Sequence, residues 1–519
     1  MKHLEILAQQ IAARNVSHIF GIPGSGPSLY LLDALEKRGV RFHLTHFEGS
    51  AALMAGAIGK LSGRSGTAIS IKGPGLTNML PGLAACALDA FPVVSISEAY
   101  LPDTPPETAH KRIDHVKLLA AIAKFQCGLS LKGPPFEQLA KRAESEVPGV
   151  VHLNIAATPF KDEAVEDTFK IKKKDDAQWA KAESLLRQSR QPIIVAGTLA
   201  TRSNWYKNLN GLSIPIFSTA AAKGAVNENL PHAAGVFTGV GGPLAPEKTL
   251  IPQADLIIAI GLRHNEVLSV KPFDCPSILI DPLDEDLGFG FKFDSIIEGT
   301  LLQIESLLDG LAEKQWGLDI VEAARQRLDE KLGASSFLPA GVYRCIAAHF
   351  KSEARMVLDT GNFCTIGEHA WAVMRPDLYL ACGQGRYMGV AIPLGIAAAI
   401  YDPHVPTVVF TGDGGIGMFV SEMKLAVQNN LPLLVVLLTD SHLGTIRGGA
   451  LQKGFSQHPS VIIQPSWVNA AAGFGLPSAR AEKIDQVEKI LTDWNQKGPL
   501  FLEVPFDADE YQHMTDGIR

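Results

Sequence analysis

Two aspartates, Asp413 and Asp440, stand 27 positions apart. The first lies in the run Gly412, Asp413, Gly414, Gly415, and the second precedes Ser441, His442, Leu443 and Gly444. Glycines at a helix start let backbone N–H groups approach an anion, and two converging carboxylates hold a hard cation such as Mg2+. The stretch therefore predicts a clamp for a metal-bound diphosphate, against the plainer reading of a Gly-rich turn in an ordinary α/β protein. Other residues could also do chemistry. Glu48 opens an Ala/Gly-rich stretch, Ser25 sits in GIPGSG, Lys72 precedes GPGLTN, and Arg447 follows the clamp. A glutamate at an apolar helix start is either a cap or an acid kept from water. Ser25 is a turn residue or a hydroxyl for a substrate carboxylate. Lys72 binds an acidic group, faces solvent or pairs with an acid, and Arg447 binds an anionic group or is an exposed helix residue.

The elements that must position the clamp are legible. Val405 to Thr411 is apolar and β-branched, Phe419 to Asn429 has helical spacing, and Leu433 to Leu438 is apolar again. That is a βαβ unit whose parallel strands bring Asp413 and Asp440 to one sheet edge, where ligands bind in such folds. Residues 1–165 alternate helix-like and strand-like segments: Leu4 to Ala13, His18 to Gly21, Leu29 to Arg38, Phe42 to Thr45, Ala51 to Leu61 and Thr67 to Ile71. Residues 177–325 repeat the pattern, with strands expected at 192–197, 214–219, 256–261 and 277–281. A charged run at 160–176 reads as a linker, and 307–332 as a polar helical connector to a third unit, 337–519. The fold class is α/β, three doubly wound domains with mainly parallel sheets.

Composition sets limits. The chain has 519 residues, of which 46% are hydrophobic and 19% charged, with net charge −7, as expected of a globular protein of about three domains. No basic patch calls for nucleic acid. Polar residues interrupt the first helix too early for a secretion signal, and no apolar run is long enough to span a membrane. Six cysteines without a CxxC pair read as free thiols in a reducing cytoplasm. The run 381–400 contains a GxGxxxG spacing, but the acidic partner a dinucleotide would require after the next strand is missing.

The clamp resembles the GDG…NN signature of thiamine diphosphate (ThDP) enzymes, with Thr439-Asp440 where the family has an Asn pair. The first unit is similar to enzymes of the acetolactate synthase, pyruvate oxidase and benzoylformate decarboxylase type in its order of FGIPG, a glutamate starting a helix, and GPGLTN. The resemblance covers nearly the whole chain. It implies a pyrimidine-binding first domain, a central domain and a diphosphate-binding third domain. It implies Asp413, Asp440 and the backbone carbonyl of His442 as Mg2+ ligands, and Glu48 as the acid that activates the aminopyrimidine. Gly361, Asn362, Gly412, Gly414, Gly415, Leu443 and Gly444 would line the diphosphate, Asn78, grouped with the cofactor-binding residues, would cap or brace the helix that follows it, and Arg386 would offer its carbonyl to the 4′-amino group. Met388 would prop the bent cofactor, a task suited to an unbranched, polarizable side chain.

The implied activity is attack on a 2-oxo acid, loss of CO2 to an enamine, and release of an aldehyde or ligation to a second carbonyl. A related ThDP lyase or acyl transferase on a larger or acidic substrate is the alternative, with Ser25, Lys72 and Arg447 as substrate contacts and open space near Gly449. A non-catalytic diphosphate-binding protein is the alternative of another class. The segment 255–269 resembles the family's flavin-edge segment, with Arg263 as candidate contact, but the reading favours a purely structural central domain over one that holds FAD. The resemblance further implies a homodimer or tetramer with active sites at the subunit interface, and no nucleic acid or membrane partner.

Overall fold

The computed structural model describes residues 1–162, 175–203, 205–282, 290–298, 301–335 and 337–519. Most of the expected linker at 160–176 lies outside them.

Three six-stranded sheets organise the chain, and every pairing between their strands is parallel. The first holds β1 (His18–Ile22), β2 (Arg41–Leu44), β3 (Gly66–Ser70), β4 (Val93–Glu98), β5 (Ala123–Gly128) and β6 (Val150–Ile155), in the order β2-β1-β3-β4-β6-β5. The second holds β7 (Pro192–Ala196), β8 (Ile216–Thr219), β9 (Ala233–Phe237), β10 (Leu256–Ile260), β11 (Ser277–Ile280) and β12 (Ser295–Ile297), in the order β12-β11-β10-β7-β8-β9. The third holds β13 (Arg355–Leu358), β14 (Tyr379–Ala381), β15 (Thr407–Gly412), β16 (Leu433–Thr439), β17 (Ser478–Arg480) and β18 (Leu500–Pro505), in the order β14-β13-β15-β16-β18-β17. In each sheet the winding reverses between two adjacent strands: β1 and β3, β7 and β10, or β13 and β15. Ligands of doubly wound sheets bind outside the carboxyl ends at such points.

Val/Ile/Leu-rich runs make the inner strands β7, β10, β15 and β16. β16 reads LLVVLLT and is buried along its whole length, as a strand covered by helices on both faces must be. The first and third sheets are joined through a shared core. Helix Glu48–Ser62 packs on helix Ala391–Tyr401, in which every residue from Ala391 to Ile400 is buried. A helix apolar on all sides is stable only when enclosed. One cluster accordingly contains Phe20, Met54 and Leu83 together with Val390, Ile396 and Phe501, and each large apolar side chain it hides contributes ~2 kcal/mol.

The expected connector at 307–332 is instead two helices, Leu301–Asp309 and Leu318–Leu332, separated by a turn at Gly317 with φ of 72°. Leu307, Leu308 and Leu311 are buried in the core of the second sheet, so this stretch is part of that unit's packing and not only a link. Among the described residues no helix is long and apolar enough to cross a membrane.

Candidate active site

β15 ends at Gly412, and helix Asp413–Phe419 begins on the next residue, which places the Asp413 carboxylate at the helix's amino end. β16 runs beside β15 in register, with Gly412 opposite Leu438, so the chain leaves β16 at Asp440 directly alongside. The Asp413 Oδ2 accepts the backbone N–H of Asp440 at 3.0 Å and of Ser441 at 2.7 Å. Its Oδ1 is buried and makes no hydrogen bond of normal geometry, although the Thr439 and Asp440 side chains lie beside it. Ser441 has φ of 63°, which turns the loop back so that the Asp440 carboxylate accepts the His442 N–H at 3.1 Å.

Burial raises the affinity of Asp413 for a proton. Burial first, and then the negative charge of Asp413, push the Asp440 carboxyl up to about 6. Two acids crowded out of water in this way are stabilised by a cation between them. Among the described residues no three His, Cys, Asp or Glu side chains are grouped to hold an ion unaided. Two carboxylates with a backbone carbonyl and phosphate oxygens make a set that Mg2+ commonly accepts.

A cavity of 430 Å3 opens over this pair. Its wall contains Gly361, Asn362, Arg386, Met388, Gly412, Asp413, Gly414, Asp440, His442, Leu443 and Gly444, residues drawn from four separate loops of the third unit. Gly415 lies behind the wall, where a Cβ would come within 2.4 Å of Asp359 Oδ2. Met388 is 38% exposed, with its sulfur at the cavity near Gly414. The bend that presents it needs φ of 50° at Arg386 and 81° at Gly389. Asp359 holds that bend. Its carboxylate accepts the Gly389 N–H at 2.8 and 2.9 Å and the Thr411 hydroxyl at 2.9 Å, and burial pushes it up to about 7. A glycine-lined, carboxylate-bearing cavity at the β13/β15 reversal fits the diphosphate end of ThDP.

Sequence reasoning missed Asp359, Phe363, Thr445 and Tyr511, of which the last three line the cavity. Asp359 ends the apolar run from Met356, a strand-like stretch, which was a usable signal. Tyr511 arrives from a helix near the chain's end, Ala508–Gln512, and nothing local marks it.

Among the described residues none before Thr360 lines this cavity. Glu48 is the first residue of helix Glu48–Ser62, is 6% exposed, and accepts a hydrogen bond from Asn78 Nδ2 at 3.1 Å. Asn78 lies within helix Pro74–Leu88 and caps nothing; it fixes the Glu48 carboxylate. Phe47 packs on Phe419 with ring centroids 6.2 Å apart, so Glu48 stands by the far end of the clamp helix from Asp413.

Ser25 is exposed at a separate open cavity of 1060 Å3 beside helix Pro27–Glu36. Lys72 lines another, of 430 Å3. Its ammonium pairs with Glu98 at 3.1 Å, and Glu98 also accepts the Ser28 N–H at 3.0 Å and hydroxyl at 2.5 Å. The charge of Lys72 is thus already matched. Arg447 is buried at 7% exposure, against the exposed position expected of it. Its guanidinium donates to Gln457 at 3.1 Å, to the Ala508 carbonyl at 2.7 Å and to Asp509.

At the β7/β10 reversal of the second sheet, where a flavin nucleotide would lie, the carboxylate of Glu266 is already in place. It accepts the Thr198 N–H at 2.9 Å, the Thr198 hydroxyl at 2.6 Å and the Thr219 hydroxyl at 2.9 Å, and burial raises its proton affinity. Arg263 is buried and paired with Asp281 at 2.9 Å. These residues do not fit a dinucleotide phosphate: a carboxylate holds the donors that an anion would need.

Comparison with known proteins agrees with the geometry. Residues 1–117 match the thiamine pyrophosphate enzyme N-terminal TPP binding domain, 179–299 the central domain, and 359–504 the C-terminal TPP binding domain. The chain is 23% identical to acetolactate synthase of Bacillus subtilis (strain 168), covering 98% of this chain and 93% of that protein. It is 25% identical to acetolactate synthase isozyme 2 large subunit of Escherichia coli (strain K12), over 98% and 96% respectively. It is also 25% identical to the Pseudomonas aeruginosa protein named "Probable 2-ketoarginine decarboxylase AruI", over 96% and 93%. The chain therefore belongs to the thiamine pyrophosphate enzyme family, among its acetolactate synthase-like members.

Proposed function

We propose that the protein is a ThDP- and Mg2+-dependent enzyme that decarboxylates a 2-oxo acid and either releases an aldehyde or joins the remaining carbon to a second carbonyl compound. The observation that carries this reading is the Asp413–Asp440 pair, with one buried carboxylate oxygen lacking a hydrogen bond, set in a glycine-lined cavity walled by Met388. When bound, the cofactor supplies a nucleophilic carbon and an electron sink for the bond that breaks.

The residues have separate tasks. Asp413, Asp440 and the carbonyl of His442 hold the metal. Backbone N–H groups at Gly361, Asn362, Gly414 and Gly444 meet the phosphates; Leu443 lines the cavity beside them, its own N–H held by the Ser460 carbonyl at 2.7 Å, while Gly412 and Gly415 leave room for the backbone. Met388 would prop the cofactor, and the Arg386 carbonyl would accept from its amino group. Glu48, steadied by Asn78, keeps a proton at the pyrimidine ring. Ser25 is the candidate substrate hydroxyl. Lys72 and Arg447 hold Glu98 and the segment at 508–509, which leaves them poorly placed to bind an acidic substrate.

In this reading Glu48 comes from a second copy of the chain; it is supported by the clamp cavity having no lining residue before Thr360 among the described residues and by Glu48 of the same chain standing at the other end of the clamp helix. The smallest active form is then a homodimer, with a tetramer as the next assembly. The six free thiols support a reducing cytoplasm.

A larger substrate is the second reading. A side chain at Gly449 would meet nothing within 4 Å, and one relative is named for a substrate longer than pyruvate. Incubating the enzyme, ThDP and Mg2+ with a panel of 2-oxo acids, with and without aldehyde acceptors, tests both readings. CO2 release with an aldehyde or hydroxy-ketone product is expected. Failure to bind ThDP with Mg2+ present, or binding without turnover of any 2-oxo acid, contradicts the proposal.

A further inference from the structure

Each half of the chain reaches across to hold backbone of the other. Glu422 lies in the turn Val420–Glu422, just beyond the clamp helix, and is 0% exposed. Its carboxylate accepts the N–H of His46 at 3.0 and 3.2 Å and of Phe47 at 3.0 Å, with the His46 ring nitrogen at 3.3 Å. These are the two residues before Glu48. The helix they introduce has no side-chain cap of its own, since Phe47 stands at the N-cap position. A carboxylate from the third unit therefore sets the direction in which Glu48 leaves the loop.

The converse contact is made by Asp89, at the end of helix Pro74–Leu88 and 4% exposed. Its carboxylate accepts the Gln384 N–H at 2.8 Å and the Gly385 N–H at 3.1 Å. Those amides immediately precede Arg386 and Met388. Two neighbouring N–H donors facing one ionised carboxylate form charge-assisted hydrogen bonds, the stronger class, and a side-chain amide cannot replace it. Gln or Asn would offer one oxygen and turn an N–H2 donor toward another donor.

We infer that Glu422 and Asp89 are positioning residues, Glu422 aiming Glu48 and Asp89 placing the Arg386 carbonyl and Met388. The inference rests on the proposed roles of Glu48 and the 386–388 bend. It explains why two buried acids that touch neither cavity nor metal pair sit where the halves meet.

The test uses the full-length protein and measures three things: its melting before cofactor is added, ThDP affinity by tryptophan fluorescence with Mg2+ present, and, once loaded, the rate of hydrogen–deuterium exchange at C2 of bound ThDP. Glu422→Gln is expected to slow exchange at saturating ThDP at least about tenfold, with ThDP affinity nearly unchanged. Glu422→Asp keeps the charge but shortens the reach, and is expected to do the same. Asp89→Asn is expected to weaken ThDP binding about tenfold. Native exchange in whichever Glu422 variant folds, or loss of folding in both, overturns the assignment of Glu422. Native ThDP affinity or loss of folding in Asp89→Asn overturns that of Asp89. Glu48→Gln in parallel separates the two levels. If it exchanges at the native rate, the role of Glu48 itself is wrong; if it is slow while the Glu422 variants are not, only the positioning role fails.

Discussion

Asp413 holds Asp440 in place: one oxygen of the first acid takes the backbone N–H of the second at 3.0 Å, while the other is buried without a normal hydrogen bond. The second acid stands where the GDG…NN signature it resembles has an amide, and it adds a charge that burial and Asp413 together disfavour. Asp440→Asn should remove that repulsion, keep activity within about twofold at saturating Mg2+, and raise the Mg2+ needed for half-activity about tenfold. A Mg2+ titration at fixed ThDP checks this. Unchanged metal dependence would remove Asp440 from the ligand set.

Arg447 is a strut. It ties helix Gly444–Lys453 to residues 508–509, and Tyr511 from that same terminal segment forms part of the cavity wall. Arg447→Ala should cost about 2 kcal/mol of stability, since it strips hydrogen bonds from a buried site. It should also loosen the tail and weaken ThDP binding. Thermal melting together with carboxypeptidase digestion tests the idea; an unchanged melting point with an undigested tail would count against it.

Asp359 gives the cofactor-free protein a pH dependence of defined sign. Burial disfavours the charge and pushes its carboxyl up to about 7 in the folded protein, against 3.8 for a free aspartate. The folded state therefore binds this proton more tightly than the unfolded one. The stabilisation is complete below about pH 4 and is lost as pH rises through about 7. The difference in unfolding free energy between the native protein and Asp359→Asn should shrink over that interval by at most on the order of 4 kcal/mol. Urea unfolding of both at several pH values measures it, and a difference that stays flat or grows with pH would be contrary.

The second sheet should take no flavin, because Glu266 already holds the hydroxyls and the amide at its β7/β10 reversal. Titrating the protein with FAD should give no quenching of flavin fluorescence and no rise in melting temperature. Stoichiometric FAD after purification would show that Glu266 swings aside.

Much of this was legible in the sequence, for identifiable reasons. β15 and β16 are long apolar runs, and the glycines around Asp413 admit few other structures, so the clamp declared itself. Glu48 was found through the order of motifs around it, not through its own neighbourhood. Arg447 was misplaced because its helix has no strong apolar face, and its burial comes from a segment some 60 residues later. The choice among the three readings of Lys72 stayed open because Glu98, the acid it pairs with, ends a different strand. The connector at 307–332 read as polar because Leu307, Leu308 and Leu311 are too few to reveal that they complete another core. Contacts between distant segments were in each case the missing information.

The central claim is that Glu48 of one protomer and Asp413 of another serve the same cofactor. Glu48→Gln and Asp413→Asn, each inactive as a homodimer, can be mixed, dissociated and reassembled. Half of the dimers are then mixed, and each regains one intact site, so activity should return to roughly a quarter of the native value. If the mixture stays as inactive as its parents while native subunits treated alike recover, both residues act within one chain and the account is wrong.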